Sequence, residues 1–172
     1  MTNASSTAPN ILSSDAAASR EDLVRLLTEA YWMEIETVMN YIANSTNPDG
    51  VRAQEVIDSL AADITEELGH AQLFAQRIKV LYGTVPGSHD FRPAQDSLQP
   101  PADAIDITHV IRGVIDAERG AIEHYSRIIQ ATDGIDPVTQ DMVTTILADE
   151  QRHLRMFEGF LREYEDRQAP AA

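Results

Sequence analysis

The chain contains no cysteine, one lysine (Lys79) and one tryptophan (Trp32). Without cysteine there are no disulfides, thiolate metal ligands, thiol nucleophiles or tetrathiolate iron centres, which is compatible with a reducing compartment. The scarcity of lysine goes with a formal charge of −15. Phosphate binding needs a basic surface, so nucleic acid is not an expected partner. An acidic field instead gathers cations, or simply keeps a chain dissolved. Long apolar runs are also missing, so no membrane span is expected. The N-terminus has no basic segment followed by a hydrophobic stretch, so the expectation is a cytoplasmic protein not exported by a conventional signal. Strand-like alternation is absent as well, leaving helical periodicity as the dominant pattern.

A length of 172 residues fits one domain with a sizeable core. Residues 1–18 are rich in Ser, Ala, Thr and Asn without an apolar face, and are expected to form a flexible arm. Residues 19–166 carry four helical patterns, and 167–172 form a short tail. The first pattern covers about 21–43, after a cap at Ser19, and ends in the turn formers of 44–50. The second covers about 51–82 and stops at Gly83; the third covers about 102–132 and stops near Gly134. Asp136-Pro137, a cap followed by proline at the first helical position, opens the fourth, which reaches about Asp166. Short turns join the first to the second and the third to the fourth, whereas residues 84–101, with four prolines, form one long connection. The expected fold class is all-α: a four-helix bundle of two antiparallel helix hairpins joined by one long crossover.

Two copies of Glu-x-x-His stand within these helices: Glu67-Leu68-Gly69-His70 and Glu150-Gln151-Arg152-His153. Glu34 precedes Glu67 by 33 residues and Glu118 precedes Glu150 by 32; seven residues after each lone glutamate comes a tyrosine, Tyr41 or Tyr125. Residues three and four apart share a helix face, so the apolar stripe identifies the inward side. The stripes are Leu23, Leu27, Ala30, Glu34, Thr37, Tyr41; Ile57, Leu60, Ile64, Glu67, Ala71, Phe74, Ile78, Leu81; Ile107, Ile111, Val114, Glu118, Ala121, Tyr125, Ile128; and Val143, Ile146, Glu150, Phe157, Leu161, Tyr164. Each is interrupted once, by a glutamate. Glu36 falls on the side of Arg25, Glu29 and Asn40, and Glu123 on that of Arg112, Asp116, Arg119 and Arg127, so both are read as polar-face residues.

Four carboxylates converging on one buried point would each have a large desolvation cost and would repel one another. Two divalent cations neutralise them, and the two imidazoles add a nitrogen donor to each. The expected metal ligands are therefore Glu34, Glu67, His70, Glu118, Glu150 and His153, around a binuclear site. An oxygen-rich set with nitrogen suits iron or manganese.

On these motifs, over residues 21–166, the chain resembles the ferritin-like superfamily, closest in pattern to bacterioferritins and the Dps-like proteins with an intrasubunit di-iron centre. The resemblance implies two iron ions per chain. Glu67 and Glu150 would bridge them, Glu34 and Glu118 would be terminal carboxylates, and His70 and His153 would complete one iron each. It also implies that Tyr41 lies beside the centre and supplies an electron. Asp149 and Glu66 would accept the outer ring proton of a ligand histidine on the opposing hairpin, or else form a solvated flank. Two departures narrow the expectation. Leu68 stands where bacterioferritins place the methionine that holds haem, so haem is not expected. Six residues follow Asp166, too few for the short fifth helix of many 24-subunit cages. His89 and Asp90 in the crossover are either a surface metal site or ordinary loop residues.

The leading expectation is a ferroxidase, oxidising Fe(II) with dioxygen or hydrogen peroxide for iron storage or detoxification in a homo-oligomer. The alternative is a small dimeric di-iron or di-manganese oxidase or peroxidase without mineral storage. A third reading is a helical module whose polar core fixes register.

Overall fold

The computed structural model describes residues 10–166. Four long helices carry the fold: α1 (Ala17–Thr46), α2 (Gln54–Val80), α3 (Ile107–Thr132) and α4 (Pro137–Asp166). Short 3-10 turns lie at Ser14–Ala16, Ser88–Asp90 and Asp96–Leu98, and there is no strand among the described residues. The pairs α1–α2 and α3–α4 are antiparallel hairpins, and the crossover joins them as a four-helix bundle.

The helix ends show how local chemistry sets the boundaries. Ser19 lies inside α1 and does not cap it; Ala16 holds the cap position without a side-chain bond. Arg20, in the first turn, instead ties the preceding segment to the helix, its Nη1 donating to the carbonyls of Ile11 and Ser13, each at 2.9 Å. Ile11 is buried against the end of the bundle. Part of the segment expected as a flexible arm, residues 10–18, is therefore docked by an apolar anchor and a guanidinium. Residues 1–9 and 167–172 lie outside the described residues.

The α2 terminus closes with Gly83 N–H donating to the Ile78 carbonyl (2.9 Å) and Tyr82 N–H to that of Lys79 (3.1 Å). This bonding pattern puts Tyr82, not the glycine, in the left-handed conformation, at φ 62°. Gly83 is needed for a different reason: a Cβ there would sit 2.7 Å from Val24 Cγ1 and 2.9 Å from Ile78 Cγ2. α3 begins five residues later than its apolar pattern suggests. Asp103 and Asp106 satisfy nearby backbone donors with their side chains, and Asp106 caps the helix through His109 N–H at 3.0 Å. The start of α4 matches the Asp136-Pro137 signal, with Asp136 accepting from Thr139 N–H at 3.1 Å.

The core has two apolar halves. One gathers Val56, Leu60, Ile111, Val114 and Phe157 under Tyr41. The other gathers Leu27, Phe74, Ile78, Ile128 and Ile146 around Tyr125. A buried polar layer separates them.

The crossover is fastened along α1. Glu36, 3% exposed, accepts from the backbone N–H of Ala94 and Gln95 at 2.9 Å. Asn40 donates to Gln95 Oε1 (3.0 Å) and Asn44 to the Leu98 carbonyl (2.8 Å). Glu36 and Asn40 lie on the polar face to which helical phase assigns them. They do point away from the bundle centre, but the crossover covers them. Gly113 of α3 lets that strap close down, since a Cβ there would lie 2.4 Å from the Ser97 carbonyl oxygen.

Candidate metal centre

Each helix contributes one inward glutamate to the polar layer, and α2 and α4 add a histidine one turn later. Glu34, Glu67, His70, Glu118, Glu150 and His153 are all between 1% and 5% exposed. Their donor atoms form two overlapping groups, each within 4.8 Å. Glu34, Glu67, His70 and Glu150 make one; Glu67, Glu118, Glu150 and His153 make the other. Glu67 and Glu150 belong to both.

The two halves mirror each other in distance. His70 Nδ1 lies 3.2 Å from Glu150 Oε1, 3.4 Å from Glu67 Oε2 and 3.8 Å from Glu34 Oε1. His153 Nδ1 lies 3.2 Å from Glu67 Oε1, 3.5 Å from Glu150 Oε2 and 3.8 Å from Glu118 Oε1. These contacts are close yet lack hydrogen-bond geometry. Both Glu67 oxygens, Glu150 Oε1 and the Nδ1 atoms of both histidines are buried without any hydrogen-bond partner. Native proteins rarely leave buried polar atoms unpaired, and here five do so around one point. A cavity of about 10 Å³, lined by all four glutamates and Tyr125, lies among them. Met33 and Thr37 of α1 and Ala117 and Ala121 of α3 complete its wall. Buried oxygen and nitrogen lone pairs around such a space fit cations of the iron and manganese class.

The electrostatics express the same demand for positive charge. Burial, then the charges of Glu150 and Glu67, push Glu34 and Glu118 well above the usual carboxylate range. Burial alone would lower the two imidazoles, but the carboxylates outweigh it, drawing His70 up to about 10 and His153 to about 11. Burial acts to raise Glu67 too, yet the two histidines hold it down at about 2.

The surroundings are reciprocal between the hairpins. Tyr41 of α1 donates its hydroxyl to Glu118 Oε1 of α3 at 2.7 Å, and Tyr125 of α3 donates to Glu34 Oε1 of α1. Tyr41 was singled out from the sequence; Tyr125 occupies the equivalent place, and its signal was the same seven-residue spacing. Outside the layer, His70 Nε2 faces Asp149 Oδ2 at 3.5 Å and His153 Nε2 faces Glu66 Oε2 at 3.2 Å. Asp149 and Glu66 thus each meet a histidine of the other hairpin. Asp63 Oδ1, 3.9 Å from His153 Nε2, was not anticipated. Its only sequence signal is lying one turn before Glu67. Burial, foremost, lifts its carboxyl to about 6. Glu123 is exposed, and so are His89 and Asp90 on their 3-10 turn.

Fold and site together define a four-helix protein with a duplicated carboxylate–histidine cluster able to hold metal at its centre. Residues 24–166 match the Ferritin family, described as a ferritin-like domain, and the chain belongs to that family. It is 27% identical over 145 residues to a DNA protection during starvation protein of Pyrococcus furiosus, covering 82% of this chain and 77% of that one. It is 26% identical over 148 residues to a bacterioferritin of Desulfovibrio desulfuricans, covering 83% and 78%. Among solved structures, a dodecameric thioferritin, the bacterioferritin-related protein of Bacteroides fragilis, superposes with a TM-score of 0.74 at 24% identity, covering 87% and 89%.

Proposed function

We propose that this chain is a binuclear ferroxidase: it takes Fe(II) as substrate and passes the electrons to dioxygen or hydrogen peroxide, for iron storage or detoxification in a homo-oligomer. The observation that carries this reading is the set of five unpaired, buried donor atoms on two overlapping groups of ligands. Glu67 and Glu150, members of both groups, would bridge two metal ions. Glu34 and His70 would complete one coordination shell, and Glu118 and His153 the other. Two iron ions held this close supply paired one-electron redox chemistry, and manganese could occupy the same donors.

The chain's own groups prepare the site. The hydroxyls of Tyr41 and Tyr125 each hold one oxygen of Glu118 and Glu34, fixing how these carboxylates sit in the layer. Tyr41 would lie beside the centre as an electron donor, and Tyr125 is placed to do the same. Asp149 and Glu66 face the outer nitrogens of His70 and His153 at 3.5 and 3.2 Å and would accept that N–H when the inner Nδ1 atoms bind metal. The apolar halves of the core exclude bulk water. Leu68 is an exposed aliphatic side chain without a ligand atom, so haem is not part of the proposal.

Self-association is supported by Met39 and Ile42 of α1 and Leu68 and Leu73 of α2, apolar side chains exposed in the single chain. No helix among the described residues is long and apolar enough to cross a membrane. We place the protein in the cytoplasm. The reference to DNA in the relative's name is not carried over, because a charge of −15 repels a phosphate backbone.

Adding many equivalents of Fe(II) in air, then measuring oxidation rate, particle mass and iron per chain, tests the reading. Large assemblies holding many irons are expected, with fast oxidation abolished in Glu67→Ala and Glu150→Ala. Unchanged rates in those variants would remove the site assignment. A small oligomer keeping about two irons per chain would instead favour the dimeric oxidase or peroxidase.

A further inference from the structure

The two carboxylates behind the histidines are not independent. Arg152 of α4 donates Nη1 to Asp149 Oδ1 at 2.7 Å and Nη2 to Glu66 Oε1 at 2.8 Å. The other oxygen of each carboxylate faces a histidine: Asp149 Oδ2 faces His70 Nε2 at 3.5 Å, and Glu66 Oε2 faces His153 Nε2 at 3.2 Å. One guanidinium therefore closes a chain from His70 through Asp149, Arg152 and Glu66 to His153. It spans α2 and α4 at the point where the two halves of the cluster meet. Arg152 is an interior residue of the second Glu-x-x-His motif. The equivalent place in the first is Gly69, where a Cβ would meet nothing within 4 Å. Steric exclusion does not explain the asymmetry; a single arginine already serves both histidines.

Resting on the binuclear reading above, we propose that Arg152 is a positioning residue for both metal half-sites, bracing the carboxylates that orient His70 and His153. The planar fork suits this task because its two donors meet two carboxylates in a fixed relation, which a lysine ammonium cannot reproduce. Its positive charge also separates two carboxylates that would otherwise repel across the seam. Arg152 is 58% exposed, so its ion pairs add little to folding stability. Its effect is expected on metal affinity, through ring orientation.

Anaerobic titration of the full chain with Co(II), followed by calorimetry and visible absorption, yields two stepwise affinities. Replacing the partner behind a ligand histidine typically costs 10–100-fold, and Arg152 acts one step further out. Arg152→Gln is therefore expected to weaken both affinities by about 3–10-fold. Asp149→Asn and Glu66→Gln should each weaken one affinity, and their effects should shrink in the Arg152→Gln background, because the brace is already gone. Arg152→Lys should recover at most one of the two. If Arg152→Gln leaves both affinities within about twofold of wild type, or if lysine restores both, the brace is refuted. If the wild-type chain does not take up two Co(II), or Glu67→Ala takes them up equally well, the binuclear reading itself fails, and the brace with it.

Discussion

Glu34 and Glu118 show most directly what the site costs the fold. Each is buried beside other carboxylates, and each has its titration pushed upward by burial first and neighbouring charge second. The sign of the consequence follows from linkage. A carboxyl whose folded value is raised destabilises the native state once pH exceeds its unfolded value of about 4.3, and imposes no penalty below that. Glu118→Gln keeps an acceptor for the Tyr41 hydroxyl while removing the charge. In the metal-free protein it should raise stability by about 1 kcal/mol at neutral pH, with the gain vanishing as pH falls towards 4. Thermal melts in chelator at several pH values measure this, and a lower melting temperature at pH 7 would refute it. The same variant should lose part of its stabilisation by added Mn(II) or Co(II), because a ligand stabilises only in proportion to its affinity for the native state. The four glutamates stand out in the sequence because a charged residue within an apolar stripe is conspicuous, and the two histidines because each follows one of them in a repeated Glu-x-x-His. Asp63 could not be, since nothing in its local pattern separates it from any exposed acid.

At the level of the helices, the least ambiguous signal was Asp136-Pro137, and the structure adds a partner that the signal did not contain. Asp136 caps α4 and also takes both Nη2 contacts of Arg77 from α2, at 2.7 and 2.8 Å. Arg77 Nε donates to Thr139 Oγ1 at 2.6 Å. Burial acts to raise the Asp136 carboxyl, but the bonds from Arg77 and Thr139 overcome it and hold the group below its ordinary value. A lowered folded value contributes stability that is complete above the unfolded value of about 3.9 and is lost as pH falls through the folded one. Asp136→Asn should therefore flatten the acid limb of the stability curve below about pH 5. Asp136→Ala, which removes the α4 cap and leaves the largely covered Arg77 guanidinium without its carboxylate, should cost roughly 3 kcal/mol at neutral pH. Urea titrations of the metal-free protein across pH 3–7 read both; an acid limb as steep as wild type in Asp136→Asn would remove this cap as the source. The other helix boundaries were less legible. Ser19 and Tyr82 depend on what a neighbouring segment contributes, Arg20 with the Ile11 and Ser13 carbonyls and the close approach of Val24 to Gly83, whereas in residues 102–106 the local Asp103 and Asp106 side chains compete with the helix for backbone donors.

Across the whole molecule, the crossover decides what is surface and what is interior. Glu36 accepts from two backbone N–H groups of the strap, and Trp32 packs against Phe91 at a tilt of 50° with centroids 5.0 Å apart. Removing the carboxylate leaves those two donors without their partner in a part-buried seam. Glu36→Ala should thus cost about 2–4 kcal/mol and raise hydrogen exchange selectively at residues 91–98. A uniform rise over all four helices, or none, would show that the strap is not held this way. The duplicated motifs, the spacing of the lone glutamates and the apolar periodicity were enough to specify a four-helix bundle with six inward metal-type ligands. Helical period alone decides which residues share a face, and a buried charge in that face has few physical explanations. Periodicity puts Glu36 and Asn40 on the face away from the ligands but says nothing about what covers that face, which is the strap. Nor could it reveal that Tyr41 and Tyr125 exchange partners across hairpins, or that Arg152 reaches both carboxylates behind the histidines. Those relations join residues far apart in the chain, and only the packing of α2 against α4 and of α1 against α3 creates them.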